Sequence, residues 1–116
     1  IPDKKLVYAL AKTYFKTLLA SGVKIYLYTP GFVHAKVFVS DDCKAVVGTI
    51  NLDYRSLYHH FECGTYLYNT PCIGEIKADY LQTQSKCAPV TAESIRGEKF
   101  TTKLVGSTMR LIAPLL

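Results

Sequence analysis

The stretch HAKVFVSDDCKAVVGTIN, from His34 to Asn51, sets an imidazole and an ammonium two residues apart and closes on an amide. Those three groups suit a phosphodiester. A neutral imidazole can attack phosphorus, or serve the leaving and incoming oxygens as general acid and base, the latter worth about 10²- to 10⁴-fold. Lys36 and Asn51 would supply charge and hydrogen bonds to the non-bridging oxygens as negative charge builds there. With a lysine as the cation, this chemistry calls for neither a metal nor an organic cofactor.

The full pattern is His34-x-Lys36-x4-Asp41-x6-Gly48-Thr49-x-Asn51. At ordinary residue frequencies it arises by chance on the order of 10⁻⁸ per starting position, so a core histidine that happens to lie in a strand does not account for it. Asp41 has the opposite parity from His34 and begins the DDCK turn, where bonding backbone amides is sufficient reason for an aspartate.

Strands must position these groups. Side chains alternate along a strand, so in a strand read over FVHAKVFVS, His34 and Lys36 share one face while Val37 and Val39 take the other. With both faces occupied, that strand is expected to be central. AVVGTI reads as the next strand, delivering Asn51 just past its end on the parity of Thr49; pairing across DDCK would bring Asn51 beside His34 and Lys36. VKIYLY, from Val23 to Tyr28, reads as a strand before them, and FECGTYLY as one after, with Cys63 a small core residue.

A helix is expected from Lys4 to about Ser21, capped by Asp3, ended by Gly22, with Leu6, Val7, Leu10, Tyr14, Leu18 and Leu19 as its apolar stripe. A second runs from Pro71 to about Lys86 after an Asn69-Thr70 cap, TAESIRG gives a short one closed by Gly97, and EKFTTKLVGSTMRLIA a last one stopped by Pro114. Tyr8, Tyr14, Tyr26, Tyr28, Tyr66 and Tyr68 are expected to pack in the core with their hydroxyls at its rim. The fold class is α/β, a mixed β-sheet flanked by helices.

A chain of 116 residues that is 49% hydrophobic fits one compact domain over residues 1–116. Beginning at Ile1 without a methionine and entering a helical pattern almost at once, it reads as part of a longer protein. It shows no secretory leader and no run of about 18 apolar residues that would span a bilayer. Cys43, Cys63, Cys72 and Cys87 have spacings that fit neither paired zinc ligands nor a disulfide framework, which predicts free thiols in a reducing compartment. A zinc site from His59, His60 and Cys63 lacks a fourth ligand at suitable spacing.

The net charge of +5 gathers at Lys4, Lys5, Lys12 and Lys16 and again at Arg96, Lys99, Lys103 and Arg110. A solvated helix face accounts for this simply; attraction to nucleic acid or an anionic lipid surface is the functional alternative. Phe100, Leu104, Val105, Leu111 and Ile112 lie among the second group, and packing on the sheet explains them more simply than docking on a bilayer.

On His34, Lys36, Asp41, Gly48, Thr49 and Asn51 the chain resembles the HKD motif of the phospholipase D superfamily, with Thr49 where serine is usual. The resemblance implies that His34 acts on phosphorus, that Lys36 and Asn51 hold the phosphate, and that Glu62 hydrogen-bonds the catalytic histidine, fixing its tautomer. A narrower resemblance, carried by KLVYALAKTYFKTLLASGVKIYLYTPGFVHAKVFVSDD, NLDYRS and RLIAPLL, is to the C-terminal half of bacterial cardiolipin synthase. It implies phosphatidyl transfer between two phosphatidylglycerol molecules, giving cardiolipin and glycerol.

That family carries two HKD motifs that meet in one site, and this chain resembles the second. The implied partner is therefore an N-terminal half of the same protein with the first motif, whose histidine becomes the phosphohistidine while His34 works as acid and base. The parent is expected at the bacterial cell membrane with a cytoplasmic catalytic domain; this chain alone is expected to be soluble and inactive or nearly so. The fold implied is half of a phospholipase D catalytic unit. His60 stands two residues before Glu62, where the family often has asparagine; with His59 it can tune the pocket or contact a headgroup, though harmless variation also explains it. Tyr54 and Arg55 are read as supporting residues.

Two other functional classes fit the residues. One is a single-motif phosphodiesterase or nuclease whose site forms across a homodimer, for which the basic charge would suit DNA. The other is a noncatalytic binding module with a relic site, although every chemical position of the motif is filled. The TPGFVHAK and RLIAPLL stretches favour the lipid enzyme and make nucleic acid the less expected partner.

Overall fold

The computed structural model of the chain describes residues 2–97, Gly106 and residues 108–110, with side chains from Val7 onward. In order these form α1 (Pro2–Ala20), β1 (Tyr26–Tyr28), β2 (Lys36–Ser40), β3 (Lys44–Gly48), a π-helical turn (Arg55–His59), β4 (Gly64–Tyr68), α2 (Cys72–Gln84), β5 (Cys87–Pro89) and α3 (Ala92–Arg96). The architecture is α/β, with β2-β3-β4 as one sheet and β1-β5 as another. Two compact units result, one drawn from residues 1–27 and 89–116, the other from Tyr28–Ala88.

In the first unit α1 begins at Pro2, so Asp3 lies inside the helix rather than capping it. Proline suits a first turn because the amide it lacks would be unpaired there. Gly22 ends α1 at φ 84°. Its N–H donates to Leu19 O and the Val23 N–H to Leu18 O, both at 3.0 Å, the crossed pair of a Schellman motif. Leu10 is the buried residue of the expected stripe, while Val7 and Leu18 remain exposed. α3 starts at a capping box, the Thr91 hydroxyl accepting from the Ser94 N–H and the Ser94 hydroxyl from the Thr91 N–H. The last expected helix lies outside the described residues except for Gly106 and residues 108–110, which are helical. There the Arg110 guanidinium stacks 4.4 Å from the Tyr14 ring centre.

The second unit holds the antiparallel β2-β3-β4 meander. Consecutive strands joined by hairpins become neighbours, which makes β3 the central strand and corrects the expectation for β2, an edge strand among the described residues. The first rung joins Lys36 to Gly48, so His34 sits ahead of the strand rather than within it. At the far end, Asp41 and Asp42 take left-handed φ values of 54° and 55°, the sign pattern of a type I′ hairpin turn. Ser40 Oγ donates to Asp41 Oδ2 at 2.9 Å, Lys44 lies 3.5 Å from the same oxygen, and Lys77 of α2 pairs with Asp42.

Asn69-Thr70 does not cap α2: the Ile73 and Gly74 amides donate instead to the Thr70 and Pro71 carbonyls, a tight first turn that needs no side chain. Ala45 and Ile73 are this unit's buried hydrophobic residues. Tyr66 and Tyr68 are exposed, as are Tyr8 and Tyr26 of the other unit, against the expectation of a tyrosine-lined core. Units this small have too little interior to cover both faces of a sheet. Cys63 is likewise exposed, because it precedes β4 and contributes its backbone rather than its thiol; all four cysteines are free. No described helix is long and apolar enough to cross a membrane.

Gly48 pairs with Gly64 across β3 and β4. A Cβ on Gly48 would lie 2.3 Å from Cys63 O and 2.6 Å from Gly64 Cα, both backbone atoms that cannot turn aside. At Gly64 the nearest atom is Val46 Cγ1 at 3.4 Å, an ordinary contact. Gly48→Ala is therefore expected to destabilise by about 1–3 kcal/mol through overpacking, and Gly64→Ala by clearly less, in urea unfolding of this chain. Equal costs would contradict the close approach at Gly48.

Candidate active site

The site forms where the meander runs out at the end opposite the Asp41-Asp42 turn. Beyond the Lys36–Gly48 rung the chain leads back to His34 on one side and on to Thr49 and Asn51 on the other, so the hairpin delivers all of them to one end. The Gly48–Gly64 rung brings Glu62 and Cys63 to the same end from β4. The Thr49 N–H donates to Cys63 O at 2.9 Å, and the Cys63 N–H donates to Thr49 Oγ1 at 3.0 Å. Held from both sides, the Thr49 hydroxyl gives its proton to Glu62 Oε2.

A second arm reaches Glu62 from the loop after Asn51. Asp53 Oδ1 accepts from the Ser56 N–H at 2.8 Å, which starts the turn as a helix cap would. The His60 N–H closes it on Arg55 O at 2.7 Å, the wide i→i+5 spacing of a π-helical turn. Ser56 is thereby fixed between Asn51 and Glu62. Its hydroxyl accepts from Asn51 Nδ2 at 3.3 Å and hydrogen-bonds Glu62 in turn.

Glu62 is thus clamped by two hydroxyls, Thr49 first and Ser56 second, and these bonds hold its carboxyl below its ordinary value of 4.5. The nearby His60 pushes the same way, while partial desolvation and Asp53 oppose. The resemblance implied that Glu62 orients the histidine; in the structure its hydrogen bonds go to Thr49 and Ser56, because those two elements enclose the end of β4 from either side.

His34 takes its partner from its own segment. Lys36 Nζ lies 3.0 Å from His34 Nε2 and donates to the His34 carbonyl at 2.7 Å. An ammonium has no lone pair to offer, so in this contact Nε2 is the accepting nitrogen. The ring also lies against Phe32, with centroids 5.9 Å apart. His34, Thr49 and Asn51 are exposed, and Lys36 is half-buried. Asp41 lies at the far end of β2, engaged with Ser40 and Lys44.

Sequence reasoning missed Ser56. Its signal was present in the Asp-x-x-Ser spacing of NLDYRS, which caps a turn and returns a hydroxyl five residues after Asn51.

A depressed carboxyl pKa contributes stability that is present above 4.5 and is lost as pH falls through the folded value. Thr49→Val is expected to move Glu62 up toward 4.5, and Ser56→Ala to move it less, in a carboxyl-carbon NMR titration. An unmoved Glu62 in Thr49→Val would contradict the clamp.

The family described as "Cardiolipin synthase, PLD-like domain" matches residues 2–83. An uncharacterized protein of Streptococcus mutans is 63% identical over 116 residues, all of this chain and 25% of that protein. The cardiolipin synthase of Geobacillus kaustophilus is 39% identical over 115 residues, 99% of this chain and 23% of that enzyme. Cardiolipin synthase 2 of Bacillus anthracis is 36% identical, over 99% of this chain and 22% of its own length. No solved structure matches. The chain spans about a quarter of the length of these relatives. With a family match over most of its length and the motif's groups gathered at one sheet end, the chain belongs to the cardiolipin synthase PLD-like domain family.

Proposed function

We propose that this chain is the second-motif, C-terminal catalytic half of a cardiolipin synthase. The observation that carries the reading is the convergence at one sheet end of an imidazole beside an ammonium with an amide tied through Ser56 to Glu62. These are the parts a phosphodiester displacement needs: a proton carrier, a cation and a hydrogen-bond donor for the non-bridging oxygens.

The reaction has two displacements at one phosphorus. In the first, a histidine of the N-terminal half attacks the donor phosphatidylglycerol, and His34, protonated, gives its proton to the departing glycerol oxygen. In the second, neutral His34 Nε2 takes the proton of a second phosphatidylglycerol's hydroxyl as that oxygen attacks phosphorus and the phosphorus–histidine bond breaks. Cardiolipin and glycerol leave, and the proton count closes. The accepting Nε2 corresponds to the interval between the steps, when a base is required.

Lys36 holds a non-bridging oxygen in both steps, moving from the imidazole to the phosphate as the lipid enters. Asn51 donates to the other, its position set by Ser56. Glu62, kept ionised by two hydroxyls, fixes Ser56 and Thr49 rather than exchanging protons with substrate. The parent works at the bacterial membrane, where its anionic lipid resides, with the catalytic domain on the cytoplasmic side.

Labelled phosphatidylglycerol in mixed micelles tests this with full-length protein, its His34→Ala variant and this chain alone. Cardiolipin is expected from the unmodified full-length protein, with a loss of about 10²- to 10⁴-fold on removing the proton carrier, and essentially none from the chain alone. Robust turnover by the chain alone, or cleavage of DNA in place of lipid transfer, would replace this reading with a homodimeric phosphodiesterase.

A further inference from the structure

Arg55 stands next to Ser56, whose hydroxyl takes the Asn51 amide, so it is one residue from direct contact with the phosphate-holding group. Its guanidinium is committed in an unusual direction. Arg55 Nε and Nη2 both donate to His60 Nε2, at 3.2 and 3.1 Å. Receiving two donors, that nitrogen is the accepting one in this contact. Among the described residues the ion pairs of the second unit join Lys44 to Asp41 and Lys77 to Asp42, and no carboxylate lies within ion-pair reach of Arg55. Among the described residues Arg55 is therefore a held, exposed cation with no carboxylate paired to it.

The surroundings fit a lipid anion. Leu52, Leu57, Tyr58 and Phe61 are all exposed on the same loop, with Phe61 fully so. A phospholipid offers its phosphate at the boundary between polar and apolar parts, and an arginine among exposed apolar side chains presents the complementary boundary. Guanidinium is also the side chain whose fork fits a phosphodiester's two oxygens.

We infer that Arg55, held by His60, binds the phosphodiester of the acceptor lipid. The inference rests on the transferase reading, which sets a specific electrostatic problem. Joining two phosphatidylglycerols brings a second phosphodiester within one glycerol's length of the reacting one, and two like charges so close repel. Lys36 is occupied at the reacting phosphorus; a second cation beside Asn51 offsets the repulsion and aims the acceptor's hydroxyl at phosphorus and at His34. His60 keeps the guanidinium in place.

The test offers full-length protein two acceptors in one micelle with labelled phosphatidylglycerol as donor: phosphatidylglycerol itself, and monoolein, a lipid alcohol without phosphate. The ratio of cardiolipin to phosphatidyl-monoolein isolates the acceptor's phosphate from every shared step. Arg55→Gln is expected to lower that ratio about tenfold or more, the scale of a lost charge-assisted hydrogen bond. Arg55→Lys should recover part of it, and His60→Phe should shift it in the same direction as Arg55→Gln. A ratio within about twofold of the unmodified protein's in Arg55→Gln would overturn the assignment, as would loss of both products together, which would place Arg55 at the donor. Failure of the unmodified protein to transfer to either acceptor is a different result, and it would sink the transferase reading itself.

Discussion

The close approach of β3 and β4 at Gly48 and Gly64 is the constraint on which the site depends. Two facing residues without side chains let the backbones meet where a single Cβ would collide with Cys63 O and Gly64 Cα. Only at that separation do Thr49 and Cys63 exchange hydrogen bonds, leaving the threonine hydroxyl to reach Glu62. From Glu62 the order passes to Ser56 and then to Asn51. A steric condition in the sheet is thus converted into the placement of the Asn51 amide.

The other half of the chemistry is local. His34 and Lys36 address each other across two residues, so their pairing depends on the chain entering β2 at Lys36 rather than on the sheet as a whole. The site is also open: His34, Thr49 and Asn51 face solvent, where charge interactions are weakened by water and salt. Electrostatic stabilisation of a phosphoryl transfer gains most of its force in a site from which water is excluded. An arrangement with the right groups and too much water is what one half of a shared site would present.

Much of this was legible in the sequence. Strand parity across the DDCK turn placed His34, Lys36 and Asn51 at one end, as the register of the hairpin does. What failed had specific causes. The two occupied faces of the FVHAKVFVS segment suggested a central strand, but order in a meander is set by connectivity, and β2 falls at the edge. Alternation around Cys63 suggested burial, yet the residue precedes its strand and is exposed. The clamp on Glu62 by Thr49 and Ser56 was not legible, because it depends on a π-helical turn that no periodicity announces. Asp3 and Asn69-Thr70 carried good capping chemistry, and the backbone solved both helix starts without them.

In the proposed reaction this chain is the proton-carrying half of a two-histidine site, and the covalent intermediate reports on that division most directly. Full-length protein would be mixed with phosphatidylglycerol, quenched under conditions that preserve phosphohistidine, digested, and its peptides mapped by mass spectrometry. We expect a phosphatidyl adduct on a histidine outside residues 1–116, with the His34 peptide unmodified. An adduct on His34 would contradict it by making this chain the nucleophilic half, and a turnover-competent enzyme with no histidine adduct at all would remove the two-step mechanism altogether.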